Sequence, residues 1–136
     1  MAGIVQVPGI TTFYTDARFE IITTTRDTSA ATGTVAYTGA NFTPKAVLVF
    51  AGKAASVANA IGFAENVGTG EMMNWYSSGG AGFYSVTSNL LTLIEAGGAN
   101  YNIVSVASWD TDGISLTYTK TGSPTGTADI TIAFFR

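Results

Sequence analysis

Acidic side chains supply the first candidate chemistry in this sequence. Glu65 and Glu71 flank a glycine-containing segment, and two carboxyl groups held at a fixed separation can hydrolyse a glycosidic bond. Two solvated loop acids explain the same residues more simply, because spacing along a chain does not fix the distance between the carboxyl groups. The carboxylate pair is therefore one of two interpretations of these residues.

The segment Asp110–Gly113, which reads Asp-Thr-Asp-Gly, resembles the opening of a calcium-binding loop. Calcium takes about six to eight oxygen ligands, and the further acidic ligands of that loop do not follow here. A hairpin turn accounts for the segment better, since Asp side chains bond to the backbone in turns and Gly accepts a positive φ. We therefore predict a turn at this point and no metal site.

The composition argues against several kinds of catalytic site, metal site and nucleic-acid site. The chain contains no His and no Cys, so the imidazole of a Ser-His-Asp or Cys-His mechanism and the thiolates of a metal site are missing. Six Lys and Arg against nine Asp and Glu give a net charge of −3. The basic residues are scattered singly rather than along a stripe that would neutralise phosphates. We predict a non-enzymatic protein with no cofactor, no metal and no nucleic-acid partner.

One aromatic-rich segment could bind a partner. Residues 71–76 read Glu-Met-Met-Asn-Trp-Tyr, and Phe83 and Tyr84 follow. Trp and Tyr are enriched at protein interfaces, and exposed aromatic rings can also stack on sugars. The same side chains could instead fold back as a small satellite core. Both interpretations stay open at the level of the sequence.

Short strands must position these residues. From Arg18 onward, apolar residues alternate with polar ones or form short runs between Gly, Asn, Asp, Pro and Ser, which is typical of strands. About nine strands predict an all-β fold, an antiparallel, jelly-roll-like β-sandwich over residues 18–136. The apolar run Ala46–Ala51 is expected to be a central strand buried on both faces. The imperfect alternation over residues 103–108 is expected to reflect protein on both sides of that strand.

Residues 1–17 differ from the rest of the chain. Pro8, Gly3 and Gly9 among β-branched residues favour an extended N-terminal arm over a core strand. Such an arm could lie on a neighbouring subunit, although chain ends are commonly disordered unless tied down. No apolar run approaches the ~18 residues of a membrane-spanning helix. We predict a protein made in the cytoplasm, with no membrane partner.

Charged residues make up only 11% of the chain, against about a quarter in an ordinary soluble domain. Because charged side chains normally cover much of a monomer's exterior, we expect copies of the chain or a larger assembly to cover part of this one. The candidate contact residues lie in the arm, the aromatic segment and the last strand. They are Val5, Val7, Ile10, Phe13, Tyr14, Met72, Met73, Trp75, Tyr76, Phe134 and Phe135.

Two stretches of the sequence form a wider pattern. The first is Asn41–Phe50, Asn-Phe-Thr-Pro-Lys-Ala-Val-Leu-Val-Phe, followed by Ile61–Ala64; the second is Trp109–Thr119, a loop with Pro124, and Ile130–Phe135. This pattern is similar to that of small virion proteins of tailed bacteriophages. The resemblance implies a β-sandwich structural module that serves as a capsid decoration (cement) protein or as part of a tail or fibre.

The resemblance also implies a setting and partners. Decoration proteins of this type commonly sit as homotrimers on the shell, so the expected location is the capsid surface of the virion. The expected partners are the chain itself and the major capsid protein or another virion protein. The alternative function is a receptor- or glycan-binding module of a tail or head fibre, with Trp75, Tyr76 and Tyr84 as the stacking platform.

Overall fold

A computed structural model describes residues 5–7, 10–12, 18–53, 58–66, 72–78, 83–86, 88–95 and 98–136. For residues 5–7, 10–12, 58, 72–78 and 83–86 the description covers the backbone alone. Twelve strands lie within these residues. They are β1 (Val5–Val7), β2 (Ile10–Thr12), β3 (Phe19–Asp27), β4 (Gly33–Thr38), β5 (Ala46–Lys53), β6 (Ala58–Glu65), β7 (Met72–Ser78), β8 (Phe83–Val86), β9 (Leu91–Ile94), β10 (Tyr101–Asp110), β11 (Gly113–Thr121) and β12 (Thr127–Phe135).

The strands form a sandwich of two unequal sheets. The larger sheet has six strands in the order β3-β12-β5-β6-β7-β8, and the smaller has four in the order β4-β11-β10-β9. Neighbouring strands pair antiparallel throughout both sheets, and one hydrophobic core lies between them. The prediction of an all-β, antiparallel sandwich is confirmed.

Alternation along the strands builds the core, because successive side chains of a strand point to opposite sides of the sheet. On the six-stranded sheet, Val47 and Val49 of β5 and Ile130 and Ile132 of β12 are fully buried. Phe134 of β12, and Phe42 and Leu90 outside the strands, belong to the core as well. The four-stranded sheet contributes seven more large members. They are Tyr37, Leu91, Leu93, Val104, Ile114, Leu116 and Tyr118.

The expectation that β5 is buried on both faces is wrong. Val47, Val49 and Ala51 are buried, whereas the alternate residue Phe50 is 45% exposed and Leu48 is half-buried. β5 is central in its sheet, with β12 on one side and β6 on the other. Its second side nevertheless turns away from the four-stranded sheet, so a continuous apolar run here marks a strand with one open side.

Part of the imperfect alternation in β10 comes from a local irregularity of the strand. A β-bulge lies between Val106 and Ser108, where two residues of β10 face one position of β11. The extra residue shifts the alternation, so both Val106 and Trp109 pack against the core. The irregular sequence over residues 106–109 therefore reflects this bulge.

The predicted turn at Asp110–Gly113 is present and joins β10 to β11, with Asp110 paired to Gly113. Gly113 has a φ of 152°, and a Cβ there would overlap the carbonyl oxygen of Tyr37 on β4. The two carboxylates bind protein groups. Asp110 accepts hydrogen bonds from Ser108 Oγ at 2.8 Å and Ser115 Oγ at 2.7 Å, and Asp112 accepts one from the Asn41 N–H at 2.6 Å.

A glycine allows close contact between the two layers. Gly62 of β6 lies on the buried side of the six-stranded sheet, directly against the backbone of Leu90, which precedes β9. A Cβ at Gly62 would overlap the carbonyl oxygen of Leu90. Only glycine permits a backbone approach of this kind, so β6 and β9 pack as closely as they do because this side chain is missing.

The expected N-terminal arm contains a short hairpin. β1 pairs antiparallel with β2, with Val5 opposite Thr12 and Val7 opposite Ile10, and the two form a sheet of their own. Phe13 and Tyr14 lie outside the described residues. Within the part of the chain that the structure describes, no helix is long and apolar enough to cross a membrane.

Candidate functional site

The side of the six-stranded sheet that faces away from the core exposes large apolar residues. We call this side the apolar face. Its exposed side chains have 36% to 54% of their surface accessible, which is unusual for Phe and Ile in strands of a protein of this size. They are Phe19 and Ile21 of β3, Phe50 of β5, Ile61 and Phe63 of β6, and Phe135 of β12.

Strand register brings these residues into rows across the sheet, because residues directly opposite each other share a side. In the first row Phe19 lies opposite Phe135, and the two rings have centroids 5.2 Å apart at a tilt of 44°. The next two rows run across β3, β12, β5 and β6. They read Ile21, Ala133, Leu48 and Phe63, and then Thr23, Thr131, Phe50 and Ile61.

The register of β7 divides the aromatic-rich segment between the two sides of the sheet. Met73 lies opposite Phe63 and Trp75 lies opposite Ile61, so both occupy positions in rows of the apolar face. Met72 and Tyr76 instead lie opposite the buried residues Ala64 and Ala60. The positions proposed for contact from sequence are therefore split, with Met73 and Trp75 in the rows of the apolar face and Met72 and Tyr76 in the rows that face the core.

A depression of about 390 Å³ opens at one end of the apolar face, between β12, β5 and β6. The ring of Phe50 and the side chain of Ile61 form its apolar wall, and Asn59, Asp129 and Thr131 supply polar groups. Gly52 contributes no side chain, and a Cβ there would lie 3.1 Å from Asn59 Oδ1. The apolar face therefore has both projecting rings and a hollow.

Phe134 and Phe135 illustrate how the sheet sorts adjacent residues. Phe135 is 37% exposed on the apolar face, whereas Phe134 is fully buried in the core. Phe134 was a candidate contact residue from sequence, and the alternation of β12 corrects this because it places consecutive side chains on opposite sides. Val5, Val7 and Ile10 lie in the β1–β2 hairpin, of which the backbone alone is described.

Titratable groups meet at one edge of the sandwich, where Lys53 of β5 forms an ion pair with Glu95, just after β9. Their side chains are 7% and 17% exposed. The same Glu95 oxygen accepts a hydrogen bond from the Thr125 N–H at 2.7 Å. The hydrogen bonds from Lys53 and Thr125 hold the pKa of Glu95 below its ordinary value. This arrangement connects the two sheets, and the Glu95 carboxylate already accepts hydrogen bonds from Lys53 and Thr125.

Two tyrosines form a buried polar contact under the four-stranded sheet. The hydroxyl groups of Tyr37 and Tyr118 lie 2.6 Å apart, and the guanidinium carbon of Arg26 lies 4.8 Å from the centre of the Tyr118 ring. Burial raises the pKa of both tyrosines. Both phenols therefore stay protonated at neutral pH, and each satisfies the other's hydroxyl in the core.

The metal and catalytic interpretations gain nothing from the geometry. Glu65 is half-buried at the end of β6, and Glu71 lies outside the described residues. No group of three or more carboxylates that could hold a metal ion occurs among the described residues. The residues that sequence reasoning missed are Phe19, Ile21, Phe50, Ile61 and Phe63, and the alternation of β3 and β6 was the signal that could have identified them.

Comparison with known proteins adds no relative to this description. No protein-family model, no curated protein and no solved structure matches the chain.

Proposed function

We propose that this chain is a non-enzymatic virion structural protein of a tailed bacteriophage, most concretely a capsid decoration (cement) protein that stabilises the shell as a homotrimer. The resemblance of Asn41–Phe50 and Trp109–Thr119 to small virion proteins supports this setting. Its partners are then other copies of the chain and the major capsid protein or another virion protein, at the capsid surface.

The apolar face is the single observation that carries the proposal. Six large apolar side chains lie exposed on one side of one sheet, and contiguous apolar surface of this kind marks an interaction site in a folded protein. The chain also has few charges with which to keep such a surface in water. Burial of surface against neighbouring subunits, repeated over a symmetric shell, would hold the protein in place by avidity without any chemical step.

Binding to empty shells tests the proposal. The full chain is mixed with capsids that lack it and sedimented, and the melting temperature of the shells is measured with and without the chain. We expect saturable co-sedimentation and a higher shell melting temperature. The chain without residues 1–17 should lose shell binding if the arm clamps neighbouring capsomers. Absence of binding by the full chain at micromolar concentration would overturn the proposal.

The depression beside Phe50 favours one second candidate, a receptor- or glycan-binding module of a tail or head fibre. An exposed aromatic ring next to the Asn59 amide and the Asp129 carboxylate offers both a stacking surface and hydrogen-bond partners for a sugar. Binding to a glycan array that is lost in N59A/D129A would support this function. Shell binding without any glycan binding would exclude it.

A further inference from the structure

We propose that the apolar face is the surface on which a second copy of this chain packs. The inference rests on the proposed function in one respect, because a decoration protein is expected to be an oligomer. It goes further by assigning the contact between copies to this face, and it therefore leaves attachment to the shell to other surfaces of the protein.

The size of the apolar face fits a contact between subunits. Its three rows contain 15 strand positions, four in the row of Phe135, five in the row of Phe63 and six in the row of Phe50. At ~4.8 Å between strands and ~6.8 Å between rows, these positions cover roughly 490 Å² before projecting side chains are counted. Two copies would therefore bury about 1,000 Å² together, the lower limit for a specific interface. A single bound peptide or a rim contact would leave most of the face in water.

The composition of the face also fits a permanent partner. The row from Ile21 to Phe63 and the row from Thr23 to Ile61 contain no charged residue over β3, β12, β5 and β6. The charged residues of the face lie at its two ends, Glu65 at one and Asp129 at the other. Interfaces between identical subunits are more apolar than those between proteins that also live apart, and charges are depleted from their centres.

The shape of the apolar face is compatible with packing against the same face of a second copy. A contact between identical surfaces needs projections and hollows on the same patch. The rings of Phe63 and Phe135 project from rows that contain the small residue Ala133 or Ala46, and the depression beside Phe50 opens on the same side. Face-to-face packing of two sheets is also the arrangement that the protomer uses for its own core.

Light scattering during size-exclusion chromatography tests the inference on the full chain. The variant F50E/F63E places two charges in the apolar face, and A36E/T119E places two at exposed positions on the outer side of the four-stranded sheet as the matched control. We expect an oligomer for the wild type and the control. The F50E/F63E variant should be monomeric, with a dissociation constant raised at least 100-fold and an unchanged circular dichroism spectrum.

A thiol-labelling measurement covers the possibility that F50E/F63E does not fold. Because the chain has no Cys, T23C on the apolar face and A36C on the opposite side of the molecule each introduce one reactive thiol. Both native residues are exposed in the protomer. We expect maleimide to label T23C at least 10-fold more slowly once the protein concentration exceeds the dissociation constant, and to label A36C at one rate throughout.

The outcomes separate this inference from the proposed function. A monomeric wild type whose T23C thiol reacts as fast as that of A36C overturns the inference. If that monomer still binds empty shells and F50E/F63E does not, the apolar face docks on the shell and the proposed function survives alone. An oligomer dispersed by F50E/F63E that never binds shells supports the inference and overturns the decoration role. A trimeric mass supports the decoration role but overturns the face-to-face contact, because a patch that packs on its own copy closes a dimer.

Discussion

The two outward sides of the sandwich differ in what they expose. On the six-stranded sheet, Phe50 and Phe63 project into solvent. On β4 and β11 of the four-stranded sheet the outward positions carry small or hydroxyl-bearing residues, and Thr34 Oγ1 lies 2.9 Å from Thr117 Oγ1. Other outward residues of β4 and β11 are Ala36, Thr38, Ser115 and Thr119.

The two sheets, which both have few charged residues, therefore present different kinds of side chain on their outward sides. β4 and β11 meet water largely through neutral hydroxyl groups, which hydrogen-bond to solvent without adding charge. In the two central rows of the six-stranded sheet over β3, β12, β5 and β6, only Thr23 and Thr131 carry hydroxyl groups, and large apolar side chains hold most of the other positions. Low charge alone therefore does not identify a contact surface, and the position of the large apolar side chains does.

The largest expected effect on stability comes from a substitution on the inward side of β6, compared with one on its outward side. G62A places a methyl group into the carbonyl of Leu90, and we expect a loss of more than ~4 kcal/mol of folding free energy, a large share of the roughly 5–15 kcal/mol that stabilises a domain. The neighbouring F63A removes an exposed ring and should cost less than ~1 kcal/mol in the monomer. Urea unfolding of both variants checks this, and a well-folded G62A would contradict the packing of β6 on Leu90.

An intermediate effect is expected beneath the four-stranded sheet, where the core contains a polar pair. Y37F leaves the Tyr118 hydroxyl buried without its partner, which should cost about 1–3 kcal/mol. The double variant Y37F/Y118F removes both hydroxyl groups and should lie closer to the wild type than either single variant. A double-mutant cycle from denaturant unfolding measures the coupling; additive costs would show that the pair contributes no hydrogen bond.

The smallest effect concerns the ion pair between Lys53 and Glu95, which joins one end of β5 to the segment after β9. The pKa of Glu95 is lowered from 4.5 in the folded state, so its contribution to stability is present above that value and is lost as the pH falls through the lower folded pKa. We expect the stability difference between the wild type and E95Q to shrink on acidification below pH 4.5. Urea midpoints between pH 7 and pH 3 test this, and a difference independent of pH would exclude the ionised pair as its cause.

Much of the body of the fold could be predicted from the sequence, because strands such as β11 and β12 are long, alternate clearly and are bounded by turn residues. The bulge in β10 could not, since one inserted residue looks the same in sequence as cover on both sides. The candidate site was found in part. Phe135 and the aromatic segment were proposed for contact, but the continuous run Ala46–Ala51 gave no sign that Phe50 would face solvent.

The pairing of β12 between β3 and β5 has a consequence for how the protein is made. Phe19 of β3 pairs with Phe135 of β12, at the far end of the described chain, so the six-stranded sheet cannot close until β12 has emerged from the ribosome. Pairings between such distant segments form slowly and leave unpaired strand edges exposed meanwhile. The rings of β3 and β5 are then uncovered early in synthesis, when exposed apolar surface favours aggregation.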